Sequence, residues 1–209
     1  RSRDKLRSMQ LFAKAGVGIP KTVFSRNTLD IDDLLDQVGG TPVILKLARG
    51  THGNGVVLAE TKKAAKSVLQ ALYLHNEDGT NILIQEYVQE SAGEDIRCFV
   101  VGGRVVASVK RQSLDDDFRS NTHQGGTPVA IKLTPEERKT AEKAAKAMGL
   151  SICGVDLMRS ERGPLVLEVN SSASLKAIET VTGRNVAAKV IDYIEINAKR
   201  KNRKDKVGA

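Results

Sequence analysis

One lysine of the chain stands inside an apolar run. Lys46 lies in Pro42-Val43-Ile44-Leu45-Lys46-Leu47, whose residue types predict a buried strand. Burial can lower the pKa of an ammonium group by up to about 3 to 5 units, so this lysine needs an anionic partner. The segment Gly50-Thr51-His52-Gly53-Asn54-Gly55 follows, and its backbone N–H groups could wrap phosphates. Lysine and loop together indicate a nucleotide site, although an edge-strand lysine beside a plain hairpin turn fits the same residues.

Order and spacing exclude two common phosphate-binding motifs. A P-loop ends in Gly-Lys-Ser or Gly-Lys-Thr, and the sequence has no such triplet. A protein kinase places its glycine loop before the strand lysine, whereas here the loop follows the lysine, and the sequence has neither an HRD nor a DFG motif.

Carboxylates occur in two later apolar strands. In Leu165-Val166-Leu167-Glu168-Val169-Asn170 the period of two places Glu168 and Asn170 on one face, and Asp156 repeats this pattern in Cys153-Gly154-Val155-Asp156-Leu157-Met158. If the strands pair, two carboxylates and an amide oxygen converge, which suits Mg²⁺ bridging ATP phosphates. A structural network of salt bridges is the alternative.

A third acidic position ends another predicted strand. Glu86 lies in Ile82-Leu83-Ile84-Gln85-Glu86-Tyr87-Val88, and Asp95 follows after a short polar loop. Strand, loop and acid could form an adenine slot with a carboxylate for the ribose. Taken alone, the segment also fits a strand end that solvent caps.

These residues must be positioned by helices and strands that alternate irregularly, which favours a mixed α/β architecture. The predicted helices cover about residues 4–15, 31–38 and 62–75, a helix that Thr134 caps and Gly149 ends, and a stretch from about residue 186. The predicted strands cover about residues 43–47, 56–59, 82–88, 96–101, 105–110, 152–158 and 165–169. The polar segment 112–128 is predicted to be a long loop that carries function.

The composition limits the class of protein. The net charge of +8 indicates an anionic partner, such as nucleic acid, a nucleotide or an acidic peptide, and residues 199–206, six of them basic, predict a solvated tail. Aromatic residues make up 3% and Trp is absent, so base-stacking platforms are hard to build. No apolar run reaches the roughly 18 residues of a membrane span. Cys98 and Cys153 stand alone in apolar segments, as in a cytoplasmic protein with reduced thiols.

Taken in order, the motifs resemble those of the ATP-grasp ligases, and within them the RimK branch of ribosomal-protein glutamate ligases. The matching stretches cover nearly the whole chain: Ser2-Arg3-Asp4-Lys5-Leu6-Arg7-Ser8, Lys46 with its glycine loop, Gln85-Glu86-Tyr87-Val88, Glu94-Asp95-Ile96-Arg97-Cys98, Asp117-Phe118-Arg119-Ser120-Asn121, Gly154-Val155-Asp156 and Glu168-Val169-Asn170.

The resemblance implies a role for each matching residue. Lys5 and Lys46 would contact the ATP phosphates, Glu86, Tyr87 and Val88 would line the adenine mostly by backbone groups, and Asp95 would hold the ribose. The catalytic Arg111, with Arg119, Ser120 and Asn121, would contact ATP or an acyl phosphate. Asp156, Glu168 and Asn170 would bind two Mg²⁺ or Mn²⁺ ions.

The resemblance also implies an α+β ATP-grasp fold, in which two α/β subdomains clamp ATP. We expect the clamping subdomain at about residues 40–110, the catalytic and metal subdomain at about 1–39 and 111–198, and a basic tail at 199–209. Family members carry a further N-terminal domain, which this chain is expected to lack. The full-length protein is expected to be a homo-oligomer.

The implied reaction joins a carboxylate to an amine through an acyl phosphate, with release of ADP and phosphate. In the named branch glutamate is added to the C-terminus of a ribosomal protein. A ligase acting on a carrier protein or small metabolite, and a basic RNA-binding or ribosome-binding module without catalysis, are the alternatives. Where the family reads Ala/Ser-x-Pro-Gly, this chain has Ser171-Ser172-Ala173-Ser174, so a different path or greater mobility is expected for this loop.

Overall fold

The computed structural model describes residues 2, 4–26, 30–47, 55–74, 81–91, 93–113 and 127–198. Within these ranges the helices are α1 (Lys5–Lys14), α2 (Ile31–Gln37), α3 (Lys62–Leu74), α4 (Pro135–Met148), α5 (Leu175–Thr182) and α6 (Val186–Asn197). The strands are β1 (Thr22–Ser25), β2 (Val43–Leu47), β3 (Val56–Ala59), β4 (Ile82–Glu86), β5 (Glu94–Val101), β6 (Arg104–Gln112), β7 (Thr127–Ala130), β8 (Ile152–Met158) and β9 (Leu165–Asn170). None of the helices in these ranges is long and apolar enough to cross a membrane.

The first sheet has four strands in the order β1-β4-β2-β3, and every neighbouring pair is antiparallel. Alternate residues of its strands pack beneath α2 and α3, where Leu35, Val43, Leu45 and Leu69 are buried in one apolar cluster. Because successive side chains of a strand point to opposite faces, Lys46 faces away from this cluster.

The second sheet has five strands in the order β7-β6-β5-β8-β9, again all antiparallel. One face packs on α1 and α4 through a cluster that includes Phe12, Cys98 and Val155. On the other face, Phe99 and Ile178 belong to a smaller cluster that also includes residues of α5 and α6. The two antiparallel sheets and their helices confirm the α+β class.

The sheets divide the chain at different residues from those expected. The expected clamping subdomain began near residue 40 and ended near residue 110. However, β1 pairs with β4 in the first sheet, while β5 and β6 pair with β8 in the second. The cause is that the β5–β6 hairpin buries its apolar residues against α4, α5 and α6 rather than beneath α3. The boundary between the sheets therefore lies between β4 and β5.

The helix starts that the sequence predicted are confirmed. Thr134 accepts a hydrogen bond from the Glu137 backbone N–H, and the Glu137 side chain accepts one from the Thr134 backbone N–H, which is a complete capping box. Helix α4 ends at Gly149 with φ of +69°. Asp4 caps α1 by accepting from the Arg7 backbone N–H, and this fixes Lys5 in the first turn of the helix.

The loop after β9 lies against β8 at a glycine. A Cβ atom built on Gly154 would lie 2.7 Å from the Ala173 Cβ and 4.0 Å from the Cδ and Nε atoms of Arg97. Ala173 packs against the apolar cluster beneath α5, and Ser174 is the N-cap residue of that helix. The absence of a side chain at position 154 therefore sets how closely this loop approaches the sheet.

We predict that Gly154→Ala lowers stability by about 1 to 3 kcal/mol, because the added methyl group overpacks the contact with Ala173. The double variant Gly154→Ala/Ala173→Gly should recover most of the loss. Urea unfolding of the wild type, both single variants and the double variant measures the coupling between the sites. Equal losses in Gly154→Ala and in the double variant would contradict the contact.

Candidate nucleotide and metal site

Charged side chains share one face of the second sheet at one end of its strands. In the strand register Asp95 lies opposite Arg111, Arg97 lies opposite Asp156, and Asp156 lies opposite Glu168. Directly opposite residues of an antiparallel pair project to the same face. The four strands β6, β5, β8 and β9 therefore bring these five ionic groups together.

Asp156 is the buried centre of this group, and two arginines bind its carboxylate. Arg97 donates from Nε to Oδ1 at 2.7 Å and from Nη2 to Oδ2 at 2.5 Å, and Arg111 Nη2 lies 3.1 Å from Oδ2. Burial alone would raise the pKa of Asp156, but the two positive charges and their hydrogen bonds outweigh it and lower the pKa to about 2. Asp156 is therefore an anion at every physiological pH.

Arg111 is held in place by Asp95 and has one unused donor. Its Nε donates to Asp95 Oδ1 at 2.6 Å and its Nη2 donates to Oδ2, while only 3% of the side chain is exposed. Nη1 is buried and has no hydrogen-bond partner among the residues that the structure describes. An unpaired donor on a buried charged group is costly, so this atom is suited to an anionic ligand.

Glu168 faces two lysines that come from different parts of the fold. Glu168 accepts a hydrogen bond from Asn170 Nδ2 at 2.8 Å and interacts electrostatically with Lys5 of α1 and Lys46 of β2. Lys46 donates from Nζ to Gln85 Oε1 at 2.6 Å. The two lysines and Glu168 therefore lie where the first sheet and α1 approach the second sheet.

Both lysines have a lowered pKa. Burial lowers the pKa of Lys46 to about 8, although Glu168 acts in the opposite direction, and the charge of Lys5 lowers it further. Burial also lowers the pKa of Lys5 against the attraction of Glu168. One carboxylate thus does not compensate for the burial of two ammonium groups, and additional negative charge would stabilise both.

The segment expected to line adenine is fixed by its neighbours. Glu86 Oε1 accepts from the Lys21 backbone N–H at 2.7 Å and from Arg162 Nη2, and the Glu86 N–H donates to Lys21 O at 2.9 Å. The Tyr87 N–H lies 3.4 Å from Pro42 O, and Val88 O accepts from Ser91 Oγ at 2.7 Å. The Glu86 carboxylate and these backbone groups are thus engaged within the protein, and the contact of this segment with adenine stays a prediction.

The structure gathers most of the predicted site residues. Those that meet at the charged face and its facing lysines are Lys5, Lys46, Asp95, Arg111, Asp156, Glu168 and Asn170. Arg119, Ser120, Asn121 and residues 50–54 of the glycine loop lie outside the described residues. Asp95 binds Arg111 in this structure, and its contact with a ribose stays a prediction.

Arg97 is the residue that sequence reasoning did not assign. It lies two positions after Asp95 in an apolar strand, so the period of two already places it on the face of Asp95. Its partner Asp156 is 59 residues away, however, and only the pairing of β5 with β8 reveals the contact.

The donor set of Asp156, Glu168 and Asn170 suits a hard divalent cation. Asn170 uses its amide nitrogen to bind Glu168, so its oxygen is the atom that can coordinate a metal. Both oxygens of Asp156 already accept from guanidinium groups, so it can reach a metal only through its remaining lone pairs. Among the described residues, no three His, Cys, Asp or Glu side chains lie close enough to form a metal site by themselves. The set thus fits a metal that also has non-protein ligands, such as phosphate oxygens.

The chain is similar in sequence to a known family of proteins. The RimK-like ATP-grasp domain matches residues 2–194. The "Probable alpha-L-glutamate ligase" of Hydrogenovibrio crunogenus is 56% identical over 204 residues, which cover 98% of this chain and 67% of that protein. The chain thus spans about two thirds of that relative.

Two solved structures share the fold at lower identity. The ATP-grasp ligase PsnB, complexed with its minimal precursor, has a TM-score of 0.72 at 22% identity and covers 95% of this chain, which spans 61% of PsnB. D-alanine–D-alanine ligase from Bacillus anthracis has a TM-score of 0.71 at 21% identity, covering 93% of this chain and 66% of that enzyme. These two structures show the shared fold, while the family match over residues 2–194 and the 56% identical relative show that the chain belongs to the RimK-like ATP-grasp family of ligases.

Proposed function

We propose that this chain holds the ATP and metal site of a ligase that forms an amide bond through an acyl phosphate. The observation that carries the proposal is the buried Arg111, whose Nη1 lacks a partner among the described residues and lies on the face that also carries Asp156. The half-buried Lys5 and Lys46, which interact electrostatically with Glu168, give the site positive charge that a polyphosphate would neutralise.

In this proposal, residues of the chain bind both the adenine and the phosphates of ATP. Backbone groups of Glu86, Tyr87 and Val88 line the adenine, while Lys5 and Lys46 bind the phosphates. Asp156, Glu168 and Asn170 would hold two Mg²⁺ or Mn²⁺ ions, which neutralise phosphate charge and orient the transferred phosphoryl group when bound. Arg119, Ser120 and Asn121 are assigned to the phosphates by the resemblance alone.

The proposed reaction has two steps. An oxygen of the acceptor carboxylate attacks the γ-phosphorus and the bond to the bridging oxygen breaks, which gives an acyl phosphate and ADP. The amine of the incoming amino acid then attacks the acyl carbon, phosphate leaves, and the amine loses a proton. Arg111 Nη1 donates a hydrogen bond to the developing negative charge of the transferred group, and Asp95 holds that guanidinium in place.

The substrate assignment rests on the relatives. The Hydrogenovibrio relative is named "Probable alpha-L-glutamate ligase", and PsnB has been solved with its precursor peptide PsnA2. We therefore propose glutamate as the incoming amino acid and the C-terminus of a protein or peptide as the acceptor, for which a ribosomal protein is the first candidate. A cytoplasmic location is proposed from the unpaired, buried Cys98 and Cys153.

We predict glutamate-dependent release of ADP when the purified protein is supplied with ATP, Mg²⁺, glutamate and a peptide acceptor. Glu168→Gln should lower this turnover by at least about 100-fold, because it removes a ligand charge while its amide oxygen can still accept from Asn170. Asp156→Asn is a poorer test, because it leaves Arg97 without a carboxylate partner and removes one of the two carboxylates that bind Arg111. Breaking such a network can cost about 3 to 5 kcal/mol.

The control is Asp32→Asn, which removes an exposed carboxylate that pairs with Lys66 away from the site. The control variant should keep wild-type turnover. Turnover by Glu168→Gln at the wild-type rate would refute the metal assignment, and RNA binding with a steep salt dependence but no nucleotide binding would favour the non-catalytic alternative.

We also predict that ATP binding at pH 8 takes up protons. The pKa of Lys46 is about 8 in the free protein, so the lysine is about half neutral there, and phosphates would raise the pKa and complete its protonation. Calorimetric titration in buffers of different ionisation enthalpy measures the uptake. Lys46→Met should lose at least part of this uptake and bind ATP much more weakly, whereas the exposed Lys62→Met should behave as wild type.

The lowered pKa of Lys46 also predicts how the stability difference between wild type and Lys46→Met changes with pH. The lowered pKa means that burial of the charged Lys46 destabilises the fold fully below pH 8, and this cost is relieved as pH rises from about 8 towards the ordinary value of 10.5. The free energy of unfolding of wild type relative to Lys46→Met should therefore increase over that range. A difference independent of pH would contradict the lowered pKa.

A further inference from the structure

Counted together with Lys5 and Lys46, the two lysines near Glu168, the charged face carries more positive than negative groups. Its described ionic side chains are four cations and three carboxylates, which gives a net charge of +1: Lys5, Lys46, Arg97 and Arg111 against Asp95, Asp156 and Glu168. The nearby pair of Lys110 and Glu94 is neutral in sum and projects from the opposite face of the strands. A cation that enters this face alone therefore meets net repulsion.

The ion pairs of Asp156 with Arg97 and Arg111 further disfavour binding of a lone cation at this carboxylate. Both of its oxygens accept hydrogen bonds from Arg97, and Arg111 reaches one of them as well. Asp95 fixes Arg111 from the side, so Arg111 cannot leave Asp156 without breaking a second buried ion pair. The Arg97 side chain is 20% exposed, against 3% for Arg111, so it is the one of the two that can turn towards an arriving ligand.

The sequence gives Arg97 the room that it needs. Its Cδ and Nε atoms lie 4.0 Å from the position that a Cβ of Gly154 would take, so its side chain crosses β8 where that strand has no side chain. In the strand register the glycine that Arg97 crosses lies opposite Asn170, a second residue of the proposed metal set.

We propose that Arg97 is a positioning residue that prevents a divalent metal ion from occupying the Asp156 site before the nucleotide is bound. This inference rests on the proposed function. The positive charge of Arg97 repels a free cation and keeps Asp156 paired. A nucleoside triphosphate brings enough negative charge to reverse the sign of the face and to compete for the guanidinium, so metal enters together with the nucleotide or after it.

The test measures binding of Mn²⁺ by electron paramagnetic resonance, with and without adenylyl imidodiphosphate, a non-hydrolysable ATP analogue. Wild type should bind Mn²⁺ tightly only with the nucleotide. Arg97→Met should bind Mn²⁺ without nucleotide at least tenfold more tightly than wild type. Arg97→Lys keeps the charge and loses the bidentate contact, so it should exclude Mn²⁺ as wild type does.

The matched control is Arg104→Met, which removes the same charge from an arginine that is 82% exposed and 3.7 Å from Glu142. This variant should behave as wild type. Thermal unfolding of each variant establishes that it is folded, and Arg97→Gln replaces Arg97→Met if the latter does not fold.

The outcomes distinguish an error in the role of Arg97 from an error in the proposed metal site. Equal nucleotide-free Mn²⁺ affinity in wild type and Arg97→Met would overturn the inference, and so would a gain in Arg97→Lys as large as that in Arg97→Met. If no variant binds Mn²⁺ even with the ATP analogue, the proposed metal site itself is wrong, and the role of Arg97 falls with it.

Discussion

The buried carboxylate of Asp156 is the interaction on which the charged face depends. It lies between Arg97 and Arg111, and Asp95 binds the far side of Arg111, so four ionic groups from three strands fix each other's positions. Removing one partner of such a buried network leaves an uncompensated charge, which costs more than the intact network contributes. The orientation of Arg111, and with it the direction of its unpaired Nη1, follows from this arrangement.

The second constraint is the contact between the sheets, since Lys46 and Glu168 belong to different ones. Two contacts of the β8–β9 hairpin, which carries Asp156 and Glu168, help to hold them together. Arg162 in its turn binds Glu86 at the end of β4, and the Val166 N–H donates to Gly18 O at 2.8 Å. The strand expected to line adenine is therefore in direct contact with the hairpin whose strands are expected to bind metal.

Much of the site could be predicted from the sequence because polar residues in apolar strands are conspicuous. Lys46, Asp156 and Glu168 each interrupt such a strand, and the strands containing them are present as expected. The pairing of charges could not be predicted, because it depends on strand register: Arg111 finds Asp95 16 residues away across a hairpin, and Arg97 finds Asp156 59 residues away.

Which strands belong to which sheet could also not be predicted from the sequence. The strand β1 has only four residues, Thr22–Ser25, and its burial does not alternate, so it gives no periodic signal. The β5–β6 hairpin has a clear pattern, but the pattern does not say which helices will cover its apolar residues. That choice is made by packing against α4, α5 and α6, which come later in the chain.

Strand β5 carries ionic side chains at one end and buried apolar side chains at the other. On β5 the side chains of Asp95, Arg97, Phe99 and Val101 follow one another at a period of two, and the last two are buried in the apolar cluster of α5 and α6. Apolar burial stabilises a fold by about 25 cal/mol per Å², whereas buried ion pairs often contribute nothing over apolar residues of similar size. The apolar end of the strand therefore accounts for the stability of this part of the sheet. The ionic end of β5, with Asp95 and Arg97, does not stabilise the sheet in this way. Under the proposed function, a ligand with several negative charges would compensate the positive charge of Arg97, of Arg111 and of the two facing lysines.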